Sequence, residues 1–171
     1  MGTGGISVDW REGTEAMQEQ FPRDGRVEWI GGATQRLGDV LSVPECRLEP
    51  GMGMEGEHHA VGGPSDREVT LIQQEHLGVV ASLAGRDSVD PSLLRRNIVV
   101  SGINLLALLG RRFRVGDALL EGTEPCEPCK RMEENLGVGG YNAMQGHGGI
   151  CARVVSSGPV HVGDAVSEAS R

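Results

Sequence analysis

The 171-residue sequence predicts a mostly β fold, a barrel or sandwich of short strands with a few helices packed around it. Two observations carry that prediction. Twenty-seven glycines, about twice the usual share, fall at short intervals between β-branched runs, which is the spacing of strands joined by tight turns. The tetrapeptide Val-Gly-Asp-Ala also occurs twice, at 115–118 and 162–165, as reused turn chemistry inside apolar alternation. The length suits one domain that buries its own core without disulfide staples.

Taken in order, residues 1–25 are acidic and weakly patterned, with disorder expected at the very start. "RVEWIGGATQ" reads as a strand entering a Gly-Gly turn. "REVTLIQQEHLGVVASLAG" predicts a strand over Val69–Ile72 and then a helix from about Gln74 to Leu83. "LLRRNIVV" reads as a strand ending at Val99 and Val100, followed by a turn over Asn104–Leu109. A hairpin then joins Phe113–Val115 to Ala118–Glu121 through Gly116-Asp117. After Pro128, helix formers run from Lys130 to Leu136 and end in a Gly-rich stop, with a short second turn through Ala143 and Met144. "ICARVVSSGPVHVGDAV" resumes the strand pattern, with His161 on its solvent face.

Charge and composition narrow the function. A formal net charge of -8 and only two Trp, two Phe and one Tyr argue against nucleic-acid binding, which rewards excess cations and stacking platforms. No apolar run reaches membrane-spanning length and the first twenty residues lack a signal-peptide core, so a soluble cytoplasmic protein is expected. Against the acidic background, residues 95–114 hold five arginines (Arg95, Arg96, Arg111, Arg112, Arg114) and no acid. Such a stretch suits a small anionic ligand, although arginines also cover apolar surface or pair with distant acids.

The segment "EPCEPCKRME", residues 124–133, holds two of the four cysteines and the only lysine. It supports several chemistries. Half of a zinc site needs a second ligand pair, yet Cys46 and Cys151 stand alone and the adjacent His58 and His59 point to opposite faces of an extended segment. A thioredoxin-like dithiol needs a βαβ setting that is not legible here. Two buried cysteines could simply pack as small hydrophobes. A single reactive thiolate at Cys129 is the fourth reading: it precedes a helix N-terminus and Lys130 and Arg131, all of which favour negative charge on sulfur. That thiolate could hold a soft metal or carry sulfur as a persulfide.

"LRRNIVVSGINLLALLGRRFRVGDALLEGTEPCEPCKRME" followed by "GHGGICARVVSSGPVHVGDAV" resembles the MOSC domain, the C-terminal module of molybdenum-cofactor sulfurases, which also occurs as small stand-alone bacterial proteins and in amidoxime-reducing enzymes. The likeness spans about Leu41 to Val166, and its motif order makes it specific. It implies a MOSC-type β-barrel, similar to the pyruvate-kinase β-barrel, with short peripheral helices. It places the family's reactive cysteine, which ligates molybdenum in the amidoxime-reducing branch, on Cys129, and the Arg-x-Asn segment that helps hold the cofactor in that branch on Arg95 and Asn97. Many relatives read Gly-Asp-Arg-His where this chain has Gly56-Glu57-His58-His59, so a cationic contact to the cofactor falls on His58, which is charged only at lower pH. Asn104, Lys130, Arg131 and His147 complete the expected cofactor-binding set; for His147 a loop position satisfied by a backbone carbonyl is slightly favoured over a role in the site.

The resemblance implies two activities. Either Cys129 carries a persulfide, or Cys129 fixes a molybdopterin-type molybdenum cofactor that reduces N-hydroxylated compounds. The chain has no flavin or iron-sulfur motif and no pyridoxal-phosphate (PLP) domain, so a sulfur donor or a reductase partner protein is expected. The competing expectation is a non-catalytic barrel that binds a small anion or a partner protein, with a structural cysteine pair.

Overall fold

In the computed structural model, which describes residues 13–36, 38–58 and 63–169, seven strands close on themselves. The described chain begins with one short helix, α1 (Thr14–Gln18), followed by β1 (Gly25–Gly32). Of residues 1–25, where partial disorder is expected, 1–12 lie outside the described residues and 13–25 hold α1 and the first residue of β1. Next come β2 (Leu41–Ser42), β3 (Glu45–Glu49), β4 (Gly53–Met54), β5 (Val69–Gln73), α2 (Gln74–Leu83), α3 (Pro91–Leu94) and β6 (Ile98–Ser101). A 3-10 turn over Leu105–Leu108 leads into β7 (Arg112–Val115) and β8 (Ala118–Pro125). Two helices, α4 (Lys130–Leu136) and α5 (Gly140–Met144), precede β9 (Ile150–Ser156), β10 (Gly158–His161) and β11 (Ala165–Glu168).

The barrel order is β11-β7-β8-β9-β5-β6-β1, and β1 returns to β11 through Gly25 opposite Val166 and Arg26 opposite Ala165. All neighbours are antiparallel except β5 and β6, which run parallel with α2 and α3 in the crossover between them. β2 extends the end of β1, while β10, β3 and β4 form a separate three-stranded sheet. The expected mostly β barrel with short peripheral helices is the observed architecture. Among the described residues no helix is long and apolar enough to cross a membrane.

Period-two alternation explains the two layers of core. Leu71, Ile98 and Val100 point into the barrel beside Val27, Phe113, Leu120 and Ile150. Their chain neighbours Ile72 and Val99 point outward and pack against Leu77 and Val80 of α2, Met132 and Leu136 of α4, and Met144 of α5. Strands buried on both faces read as unbroken apolar runs, which is why "NIVVS" shows no alternation. The two Val-Gly-Asp-Ala turns meet in space: Gly116 N–H donates to the Ala165 carbonyl across 3.1 Å, and Val115 pairs with Val166.

Two segments depart from the sequence reading. The strand expected to run through "LLRR" is interrupted: Pro91–Leu94 forms α3, whose Asp90 cap accepts a hydrogen bond from Ser92 N–H and whose first residue is proline. Local capping there overrides the apolar pattern. The pairing of β3 with β4 and β10 was not anticipated, because β3 is short, half-exposed and charged at alternate positions (Glu45, Arg47, Glu49) and β4 is only two residues long.

Candidate functional site

Where β1 ends, β6 begins and β8 hands over to α4, the described residues enclose an open cavity of about 380 Å³. Its cationic wall starts with α3. Arg95 closes that helix in the left-handed region (φ 53°, ψ 37°), the one non-glycine with positive φ among the described residues. Such backbone costs about 1 kcal/mol or more in a residue with a Cβ. The guanidinium is tethered by Nη1 donating to the Gly38 carbonyl at 2.7 Å. Arg96, only 6% exposed, donates to three backbone carbonyls: Gly148 from Nε, Leu94 from Nη1 and Cys126 from Nη2. Asn97 accepts at Oδ1 from the Thr70 amide (2.9 Å) and hydroxyl (3.1 Å), which fixes the parallel seam and turns its amide nitrogen into the group able to donate to a ligand.

The opposite wall carries the sulfur. Cys129 is the exposed N-cap residue of α4, in extended backbone, at the cavity edge. Arg131 lines the cavity from the first turn of that helix, its Nε 3.7 Å from Glu134. Deeper in, Cys126 and the fully buried Cys151 lie together, and all the cysteines among the described residues are free thiols. Interaction with the Cys151 thiol holds the Cys126 thiol below the ordinary thiol range against the cost of burial, with the Arg96 and Arg67 charges assisting. The same interaction, with burial, pushes the Cys151 thiol up. Cys46, on β3, is pushed up to about 12 by burial.

The cavity therefore gathers five of the eight residues expected from the sequence: Cys129, Arg95, Asn97, Arg131 and His58. His58 comes with a carboxylate, since its Nδ1 lies 2.8 Å from Glu57 Oε1 as well as 3.1 Å from the Ala33 carbonyl. The other three lie elsewhere. Lys130 projects into solvent with its side chain 91% exposed and Nζ 4.0 Å from Glu134, because a residue one step past the N-cap faces away from the wall that its neighbour lines. Asn104 caps the 3-10 turn, accepting from Leu106 N–H at 3.2 Å. His147 stacks edge-on against His76, ring centroids 5.2 Å apart. Its loop nonetheless reaches the site through the carbonyls of Gly148 and Gly149, which accept from Arg96 and from Cys126 N–H.

The basic stretch divides in the same way. Arg95 and Arg96 face the cavity, whereas Arg111 pairs with Glu168 at 3.5 Å and Arg112 with Glu121 at 3.6 Å. Sequence reasoning missed Arg36 and Arg67 as cavity cations, and Cys151 as the partner of Cys126. Arg36 lies on the loop after β1, Arg67 in the turn before β5 and Cys151 on β9, so what gathers them is strand pairing and register that one sequence does not display. No group of three or more His, Cys, Asp or Glu able to hold a metal ion occurs among the described residues, so the Cys-x-x-Cys pair is not completed there as a zinc site.

Comparison with known proteins agrees with this architecture. No curated protein matches the sequence significantly. Among solved structures, the YuaD protein from Bacillus subtilis is similar at a TM-score of 0.75 with 18% identity, over 87% of this chain and 98% of that one. YiiM from Escherichia coli aligns at 0.68 with 23% identity, over 88% and 71% of the two chains. YiiM from Geobacillus stearothermophilus aligns at 0.68 with 18% identity, over 86% and 76%. At these identities the likeness concerns the fold. The MOSC domain model matches residues 56–167, a span that runs from the turn carrying His58 through both walls of the cavity to the closing strand. The chain belongs to the MOSC domain family.

Proposed function

We propose that the cavity binds a small phosphate-bearing ligand of the molybdenum-cofactor type, or a sulfur species in its place, with Cys129 as the point of attachment. The observation that carries the reading is a single space of about 380 Å³ bordered by Cys129 and by Arg36, Arg67, Arg95, Arg96 and Arg131. Guanidinium groups suit phosphate because their planar donors match its oxygens, and a thiolate suits a soft metal or sulfane sulfur. The donor set fits such a cofactor in one specific way: a lone thiol cannot hold a metal ion unaided, so the metal would arrive ligated by its own organic group and take Cys129 as one further ligand. Bound, the cofactor would supply the two-electron chemistry that reduction of an N-hydroxylated compound requires, with electrons from a reductase partner.

This chain's own residues would act by holding. Arg95, tethered at Gly38, and Arg131, on the first turn of α4, would grip the anionic end, while the Asn97 amide donates to a ring edge. Buried Arg96 keeps the floor electropositive without moving. The exposure of Cys129 favours sulfur carriage as a second reading: its thiolate attacks the outer sulfur of a donor persulfide, the donor leaves as a thiolate, and Cys129 keeps the sulfane atom.

The test is elemental analysis of protein made in a cofactor-competent host, alongside Cys129→Ser. Molybdenum near one atom per chain that vanishes in the variant supports the metal form. Cyanide-labile sulfur that vanishes in the variant supports the carrier. Neither signal in the parent protein rejects both and leaves the non-catalytic anion-binding barrel.

A further inference from the structure

β8 ends at Pro125 opposite Ile150, the first residue of β9, and the Cys126 amide donates to the Gly149 carbonyl at 2.9 Å. That pairing, with Glu124 opposite Cys151, carries Cys126 and Cys151 onto the same side of the junction as diagonal neighbours across the two strands. Both border the cavity, Cys126 at 8% exposure and Cys151 fully buried behind it. Cys129 is placed differently, exposed on the N-cap of α4. Arg96 is bonded to the Cys126 carbonyl, and Arg67 adds a second favourable charge, so the local field favours sulfur as an anion.

We infer that Cys126 and Cys151 form a second reactive centre, a peroxide-reducing dithiol in which Cys126 is the attacking sulfur and Cys151 the resolving one. The Cys126 thiolate attacks one oxygen of hydrogen peroxide; an S–O bond forms, the O–O bond breaks and hydroxide leaves. Cys151 sulfur then attacks the Cys126 sulfenic acid, the S–O bond breaks, the hydroxyl departs as water with the Cys151 proton, and an S–S bond forms. Two electrons pass from the thiol pair to peroxide, and an external dithiol restores the pair by exchange. A cavity of this size admits peroxide and small dithiols while excluding a folded partner from the floor. The assignment does not depend on what Cys129 binds.

The experiment exposes the reduced full chain to equimolar hydrogen peroxide at neutral pH, blocks remaining thiols by alkylation and maps disulfides by peptide fragmentation. The expected product links 126 to 151 and leaves Cys129 alkylated; Cys129→Ser forms the same link. In Cys151→Ala, Cys126 accumulates as a sulfenic acid trapped by dimedone, and the mapping of the parent protein stands by itself if that variant fails to fold. A 126–129 link, oxidation confined to Cys129, or a Cys126 that stays alkylatable after peroxide would overturn the inference.

Discussion

Arg96 Nη2 donates to the Cys126 carbonyl oxygen across 3.2 Å, so a buried guanidinium is anchored to the backbone of the very residue whose thiol, lowered first by Cys151, it helps to keep acidic. Its other bonds, to Leu94 and Gly148, bring the end of α3 and the loop before β9 to the same point. Arg96→Met leaves buried carbonyls unpaired and is expected to destabilise the protein by about 3 kcal/mol, at about 1–3 kcal/mol for each unsatisfied group. Denaturant unfolding measures the loss. Arg96→Lys should recover little of it, since one ammonium cannot span three carbonyls at different sites.

Cys126 gives the cavity a pH signature. Its thiol is held below the ordinary thiol range by interaction with the Cys151 thiol first and then by Arg96 and Arg67, with burial and the Glu124 carboxylate opposing. Alkylation of Cys126 should therefore reach half its maximal rate at a pH below that of an ordinary thiol, and Cys151→Ala should move that midpoint upward. The linkage has a definite sign. Between the lowered value of the folded thiol and the ordinary thiol range, the unfolded chain binds a proton that the folded thiolate has given up, so this group makes stability rise with pH across that window. Unfolding midpoints across the window, in parent and Cys126→Ser, measure the effect, which should flatten in the variant.

Arg95 separates function from folding. Its left-handed backbone suits glycine, so Arg95→Gly relieves strain of about 1 kcal/mol while losing the hydrogen bond to Gly38, leaving stability near that of the parent. Phosphate affinity, followed by calorimetry, should nevertheless fall about tenfold, the usual scale for one charge-assisted contact of about 1.4 kcal/mol. An unchanged affinity would remove Arg95 from the anion wall.

The His76 and His147 pair predicts acid sensitivity. Burial lowers the His76 pKa, and the neighbouring His147 lowers it further. Both Nδ1 atoms are buried without a hydrogen-bond partner in the structure. Below about pH 6.5 an unfolded histidine takes up a proton that folded His76 resists, so stability contributed by the pair is lost on acidification. His76→Phe keeps an aromatic ring against His147 and removes the titration; its melting temperature should vary less between pH 7 and 5 than that of the parent.

The hairpin at Gly116-Asp117, the helix from Lys130 to Leu136 and the strand-to-helix step at Gln74 were legible because each is written locally, by turn residues, a preceding proline or a change of period. Cys129, Arg95 and Asn97 were legible from motif order, and the cavity does bring them together. Cys151 and Arg67 were not, because what places them beside Cys126 is the pairing of β8 with β9 and of β9 with β5, contacts between segments far apart in the chain. Lys130 misled for a different reason. Adjacency in sequence to Cys129 suggested adjacency in space, but on a helix successive residues diverge by about 100°.

The join of Gly25 to Val166 sets the timing of assembly. No hoop of seven strands can shut until its last staff has been synthesised, and until then the edges of β1 and β7 that β11 covers stay unpaired. Removing the final staff, residues 165–168, should leave those edges permanently raw, and self-association rather than a smaller native particle is the expected fate of the shortened product.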